Sequence, residues 1–124
     1  MNLDDLKIDR DYWYLCTPYS AYPGGYEAAY IEASRICAKL LLRGIHVFCP
    51  IAHTHPVSHY GHIDPERYDV FLPLVGSFMT HSYGGIVAGM DGWDKSTGIK
   101  WEIEEFERLG KPLVYLDLKY LDQP

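Results

Sequence analysis

The feature that most constrains this chain is a regular alternation of short apolar runs with longer helical patterns, each break marked by Pro or Gly. Residues 12–17 (YWYLCT) read as a buried strand stopped by Pro18, and 18–25 (PYSAYPGG) as a loop. Over 26–43, Ala29, Ala33, Ile36, Cys37 and Leu40 fall at the spacing of one helix face, and Gly44 stops the run. A second strand at 46–49 ends at Pro50, and 51–63, dense in His and Gly, reads as irregular. A second helix opens at Asp64 or Pro65 and runs to about Met79, bent at Pro73. A weak third strand at 85–88, a loop at 89–95, a third helix at 96–109 and a fourth strand at 113–116 complete the series. Ser96 or Asp94 caps the third helix and Gly110 ends it. The first eleven residues read as disordered or loosely docked, and the tail to Pro124 as trailing off. Repeats and low-complexity tracts are absent from the sequence.

Strands alternating with helices at this spacing predict a parallel sheet with helices on both faces. The expectation is an α/β fold: a three-layer αβα sandwich, flavodoxin-like or Rossmann-like, with four to five parallel strands. At 124 residues the chain is one domain, 1–124, burying roughly two thirds of the surface its unfolded form exposes. Such folds bind ligands beyond the carboxyl ends of their strands, so the loops 18–25, 51–63 and 89–95 are where chemistry is sought.

Composition removes several partner classes. Eleven Lys+Arg against seventeen Asp+Glu give a formal charge of -6, and no basic run exists to neutralise the phosphates of a nucleic acid. No apolar stretch approaches the ~20 residues of a membrane span. The acidic, polar opening segment is unlike a signal peptide. Cys16, Cys37 and Cys49 are odd in number, widely spaced and set in apolar segments, which fits free thiols in a reducing cytoplasm. Eleven Tyr against four Phe suit a pocket or an interface as well as a core, because Tyr joins an apolar body to a polar tip.

The third helix carries the sharpest functional signal. At about 100° per residue Ile99, Ile103 and Phe106 form its apolar arc, with Leu109 at the edge. Glu104, Glu105 and Glu107 point away from that arc, whereas Glu102 lies between Phe106 and Leu109, roughly 45° from the apolar centre. A carboxylate there either snorkels outward to a cation or faces a pocket. Gly98, one turn earlier on the same face, costs the helix ~1 kcal/mol against Ala and clears space beside that carboxylate. Ser96 stands at the helix start, where a hydroxyl and free backbone N–H groups receive an anion. Glu102 then lies about 9 Å along the helix from a phosphate seat, at ~1.5 Å per residue. That is placed to attack the anomeric carbon of a nucleotide, as a carboxylate nucleophile does in retaining glycoside hydrolysis.

Four stretches extend this pattern: Y-L-C-T-P-Y-S (14–20), C-P-I-A-H-T-H-P (49–56), G-W-D-K-S-T-G-I-K-W-E (92–102) and G-K-P-L-V-Y (110–115). Together, and in this order, they resemble the nucleoside 2-deoxyribosyltransferase superfamily, including its 2'-deoxynucleoside 5'-phosphate N-hydrolase branch. The resemblance implies that Glu102 is the nucleophile, that Tyr14 sets the carboxylate, and that Ser96 contacts phosphate or ribose. It places Pro18, Tyr19 and Ser20 in the loop holding the polar end of a nucleoside or nucleotide, and it implies no cofactor. The Asp that such relatives carry just before the third strand is replaced by Tyr83, which leaves Asp69 or Asp91 as candidate proton donors.

Other readings compete with these. His53, His55, His59 and His62 lie close together, and H-x-H can begin a metal site, but the spacing of the remaining ligands is wrong for one. The alternative is that His53 and His55 touch phosphate or base while His59 and His62 lie on the surface. Trp93, in a candidate site loop with Asp91 and close to Gly98, either stacks on a base or fills the gap over the sheet. Tyr19, Tyr22 and Tyr26 either wall the pocket or pack the first loop. A second apolar strip on the first helix, Ile31, Ala38, Leu41 and Leu42, predicts a homodimer or larger assembly. A module that binds nucleotides without turning them over is the principal alternative to an enzyme.

Overall fold

Strand β1 (Trp13–Cys16) lies inside a four-stranded sheet in the computed structural model, which describes residues 1–123. It pairs with β2 (Val47–Phe48) and β3 (Gly84–Ala88), and β3 pairs in turn with β4 (Leu113–Leu116), all parallel, in the order β2-β1-β3-β4. Trp13 pairs with Val47, Leu15 with Ile86 and Val87 with Tyr115. Side chains alternate across a strand, so β1 feeds two cores. Trp13 and Leu15 join Ala33, Ile36 and Leu40 of α1 (Tyr26–Leu42) on one face. On the other, Tyr14 and Cys16 meet Met79 of α3 (Tyr68–His81) with Ile99 and Phe106 of α4 (Thr97–Leu109). The result is the expected α/β three-layer sandwich, with a parallel sheet of four strands. Gly85 permits its tightest approach: a Cβ there would fall 2.7 Å from the Phe106 ring, so only glycine lets α4 lie this close.

Three local expectations are corrected. Most of 51–63 is not irregular but a helix, α2 (Pro50–Gly61), packed against α1 and the end of β1. Pro50 opens it at a position where a missing N–H costs nothing, and burial of His55 and Ser58 outweighs the poor propensity of His, Thr and an internal Pro56. The following helix begins at Tyr68, later than expected, because Asp64 accepts from the Glu66 N–H at 2.9 Å and its carbonyl from Arg67, forming a turn first. The ends of the chain are docked. A 3₁₀ turn at Leu3–Leu6 buries both leucines, and the Trp13 indole donates to the Leu6 carbonyl at 2.8 Å. A second at Leu118–Asp122 buries Leu121 beside α1. Among the described residues no helix is long and apolar enough to cross a membrane.

Candidate active site

Strand order creates the site. From β1 the chain moves to β2 on one side, and from β3 to β4 on the other, so the loops leaving the adjacent ends of β1 and β3 diverge and open a crevice. At its rim the two loops touch: Gly92, at φ +87°, lies so close to the Ala21 carbonyl that a Cβ would sit 2.4 Å from that oxygen. The crevice holds a cavity of about 350 Å³, within the size range of small-molecule sites.

Helix α4 forms one wall. Ser96 is its N-cap, its hydroxyl accepting the Ile99 N–H at 3.1 Å and its carbonyl the Lys100 N–H. The N–H groups of Thr97 and Gly98 have no carbonyl one turn earlier in the helix and carry its positive dipole end. Beside them, just past β1, Thr17 lines the same cavity; its Oγ1 is the one buried side-chain polar atom without a partner among the described residues. A buried orphan hydroxyl costs about 1–3 kcal/mol, which makes Thr17 a candidate binding residue. Sequence reading missed Thr17; its only signal was a hydroxyl placed between the strand and Pro18.

Glu102 lies one turn below Gly98, 8% exposed, on the cavity wall. Burial pushes its pKa up to about 8, and hydrogen bonding from the Tyr14 hydroxyl pulls it partly back. Tyr14 is itself raised well above the usual phenol range, first by burial and then by the Glu102 charge, so it stays protonated and donates. The missing methyl at Gly98 is not demanded by packing, because a Cβ there would meet only the Ser96 hydroxyl, at 3.7 Å. Trp101, half-buried, faces the cavity from the same helix. Tyr19 and Ser20 line it from the β1–α1 loop and Tyr26 from the first turn of α1, and Phe71, Leu72 and Val75 of α3 close it with apolar surface. The lining contains Glu66 and Glu102 but no Lys, Arg or His.

The remaining expected residues are placed elsewhere. Pro18 is buried and turns the chain out of β1 without lining the cavity. His55 lies behind the wall: its Nδ1 is 2.6 Å from the Tyr19 hydroxyl and its Nε2 2.9 Å from Glu27 Oε2. His53, two positions away on a helix, points to the opposite side and is exposed, so the H-x-H pair does not converge. Among the described residues no group of three or more His, Cys, Asp or Glu is placed to hold a metal ion. Asp91 is exposed, and Trp93 packs against Tyr115 on another flank of α4, beside Lys100 and Ile103. Tyr83 sits at the amino end of β3, its N–H donating to the Tyr12 carbonyl and its ring against Trp13, across the sheet from the cavity. Asp69 is exposed and chelated by Arg67, which holds its carboxyl below the usual range. The three thiols are free, and burial raises each of them, Cys49 to about 12, which leaves them unreactive.

A comparison with curated proteins finds no match. A family model described as a domain of unknown function (DUF1937) matches residues 11–117, a span that runs from just before β1 to just after β4 and contains every lining residue of the cavity. The chain belongs to the DUF1937 family.

Proposed function

We propose that this protein cleaves, or transfers the sugar at, the N-glycosidic bond of a nucleoside or nucleoside 5'-monophosphate, with Glu102 as the nucleophile. The observation that carries the reading is a buried carboxyl, held by Tyr14, on the wall of a cavity at the sheet's switch point, beside an open Gly98 and a free helix N-terminus. The Glu102 carboxylate attacks the anomeric carbon, the base departs with the bonding electrons, and water or a second base then displaces the carboxylate from the sugar. Thr17, Ser20 and the N–H groups of Thr97 and Gly98 hold the polar end of the substrate. With two carboxyl groups and no cation in the lining, the site favours an uncharged nucleoside over its phosphate. No cofactor enters this scheme. The reading fits a cytoplasmic enzyme with reduced thiols. It also fits a homodimer or larger assembly through the exposed Ile31, Ala38, Leu41 and Leu42 of α1, and light scattering would measure that state.

A raised pKa favours one other reading. A carboxyl titrating near 8 is ionised in only about a tenth of molecules at pH 7, and a neutral acid is a hydrogen-bonding group suited to a nucleotide-binding module without turnover. Chromatography after incubation with a panel of nucleosides and nucleotides decides between them. Freed base that disappears with Glu102→Gln supports the enzyme; a thermal shift with intact substrate supports the module.

A further inference from the structure

Beyond the Tyr14–Glu102 pair, one cluster of titratable side chains backs the cavity. Tyr19 lines it from the β1–α1 loop, His55 stands behind Tyr19 on α2, and Glu27 of α1 stands behind His55. The three residues are 36 and 28 positions apart in sequence and meet only in the fold. His55 is 7% exposed, and both its ring nitrogens are engaged. Tyr30 of α1 stacks on its face at 4.5 Å, His59 lies parallel 6.2 Å along α2, and Tyr26 packs on Tyr19 at 4.4 Å. Glu66, which lines the same cavity, accepts from the Tyr26 hydroxyl at 3.4 Å and adds a carboxyl beside the cluster.

The hydrogen-bond inventory fixes how protons can sit. The Glu27 side chain is 68% exposed, and its Oε2 accepts the hydrogen that Nε2 carries. Nδ1 is then the variable position. When it is bare, Tyr19 donates to it and offers only lone pairs to the cavity. When it is protonated, Nδ1 donates to the Tyr19 oxygen, and the phenol hydrogen turns to the cavity. The stacked Tyr30 ring and the Glu27 carboxylate hold the imidazole in place, with Nδ1 toward Tyr19. Burial pushes the Tyr19 phenol up to about 12, so the hydroxyl holds its proton at rest and releases it only as another replaces it.

We propose that Tyr19 is the proton donor to the departing base, that His55 reloads it through Nδ1, and that Glu27 is the positioning residue that orients His55 through Nε2. This rests on the N-glycosidic reading and supplies the donor that Tyr83, Asp69 and Asp91 do not. As the glycosidic C–N bond breaks, its electron pair goes to the base nitrogen, which takes the Tyr19 hydroxyl proton. The Tyr19 oxygen takes the Nδ1 proton of His55, and Glu102 forms the bond to the sugar carbon. In the second half water bonds to that carbon, the Glu102 bond breaks, and the water proton returns through Tyr19 to Nδ1. Both carboxylates and the imidazolium are restored, and the net change is addition of water across the bond.

The test uses two substrates: an ordinary purine nucleoside, and the same nucleoside methylated at N7, whose base leaves as a neutral molecule without an added proton. Tyr19→Phe should lower cleavage of the ordinary substrate by about 10²- to 10⁴-fold and the ratio of ordinary to methylated rates by at least about 100-fold. Glu27→Gln, on an exposed side chain that leaves the fold intact, should lower that ratio by about 3- to 10-fold. In the wild type the ratio should fall as pH rises and Nδ1 loses its proton; His55→Gln should make it independent of pH. Equal losses on both substrates in Tyr19→Phe, or no loss on either, overturn the relay alone, provided the wild type turns over and Glu102→Gln does not. A wild type inert on both substrates overturns the N-glycosidic reading, and the relay with it.

Discussion

Two carboxyl–tyrosine pairs stand on opposite sides of one cavity, and they solve the same electrostatic problem in contrary ways. Tyr14 acts directly on Glu102, and both are buried; Tyr19 reaches Glu27 only through His55, and Glu27 lies in solvent. Burial makes the inner carboxyl hold its proton, whereas the outer one stands in solvent and undergoes no such desolvation. The difference teaches that the distance of a carboxyl from water, more than its hydrogen-bond partner, decides which half of acid–base chemistry it can serve. In the proposed reaction the inner carboxyl bonds to the sugar carbon, and the outer one acts only through the proton relay.

The strongest way to break that contrast is to remove each carboxyl in turn. Glu102→Gln should lower base release by at least about 10³-fold, as loss of a nucleophile does, while Glu27→Gln should leave measurable turnover in the same chromatographic assay. Similar losses in both would show that the two sides of the cavity do not differ in role.

Stability against pH sharpens it next. Glu102 is raised in the folded state from 4.5 to about 8, so between those values the folded chain binds a proton that the unfolded chain has released. The stabilisation is fully present below pH 4.5 and is lost as pH rises through about 8, at up to about 1.4 kcal/mol per pH unit. Denaturant unfolding at several pH values should show this fall in the wild type and a flatter curve in Glu102→Gln. Glu27→Gln should keep the wild-type slope.

Tyr14→Phe is a smaller perturbation. Losing the hydroxyl that lowers the Glu102 pKa should move the alkaline rise of kcat upward by about one pH unit, a shift read from the pH profile. The smallest effect is expected at Gly98. Its φ is not in the left-handed region and a methyl there meets only the Ser96 hydroxyl, so Gly98→Ala should raise stability by about 0.5–1 kcal/mol in thermal unfolding. The same methyl projects beside Glu102 and should weaken substrate binding, so opposite signs in stability and KM are the expected result.

The inner side of the cavity was legible in the sequence because it is local. Gly98 and Glu102 lie on one helix four residues apart, a 3.6-residue period places them on one face, and Ser96 is the cap of that same helix. Tyr14 came only from the resemblance carried by residues 14–20, not from any periodicity. The outer side was not legible, because Tyr19, His55 and Glu27 come from a loop and two helices, and no period relates them. His55 was singled out, but as an irregular-loop residue paired with His53; recognising Pro50 as a helix start would have separated the two. The docked ends were missed for a related reason: Leu3, Leu6 and Leu121 are buried by contacts with distant elements, which short polar segments do not advertise. Strand alternation, by contrast, carried the sheet and its layers correctly, since each apolar run had to be covered on both faces.

Trp101 gives the cavity a further property. Its indole borders the same space as Glu102, whereas Trp13 is sealed in the core beneath α1 and Trp93 lies on another flank of α4. A molecule entering the crevice therefore alters the surroundings of one of the chain's three tryptophans while leaving the other two in place, so occupancy can be followed by indole emission even for compounds that are never turned over.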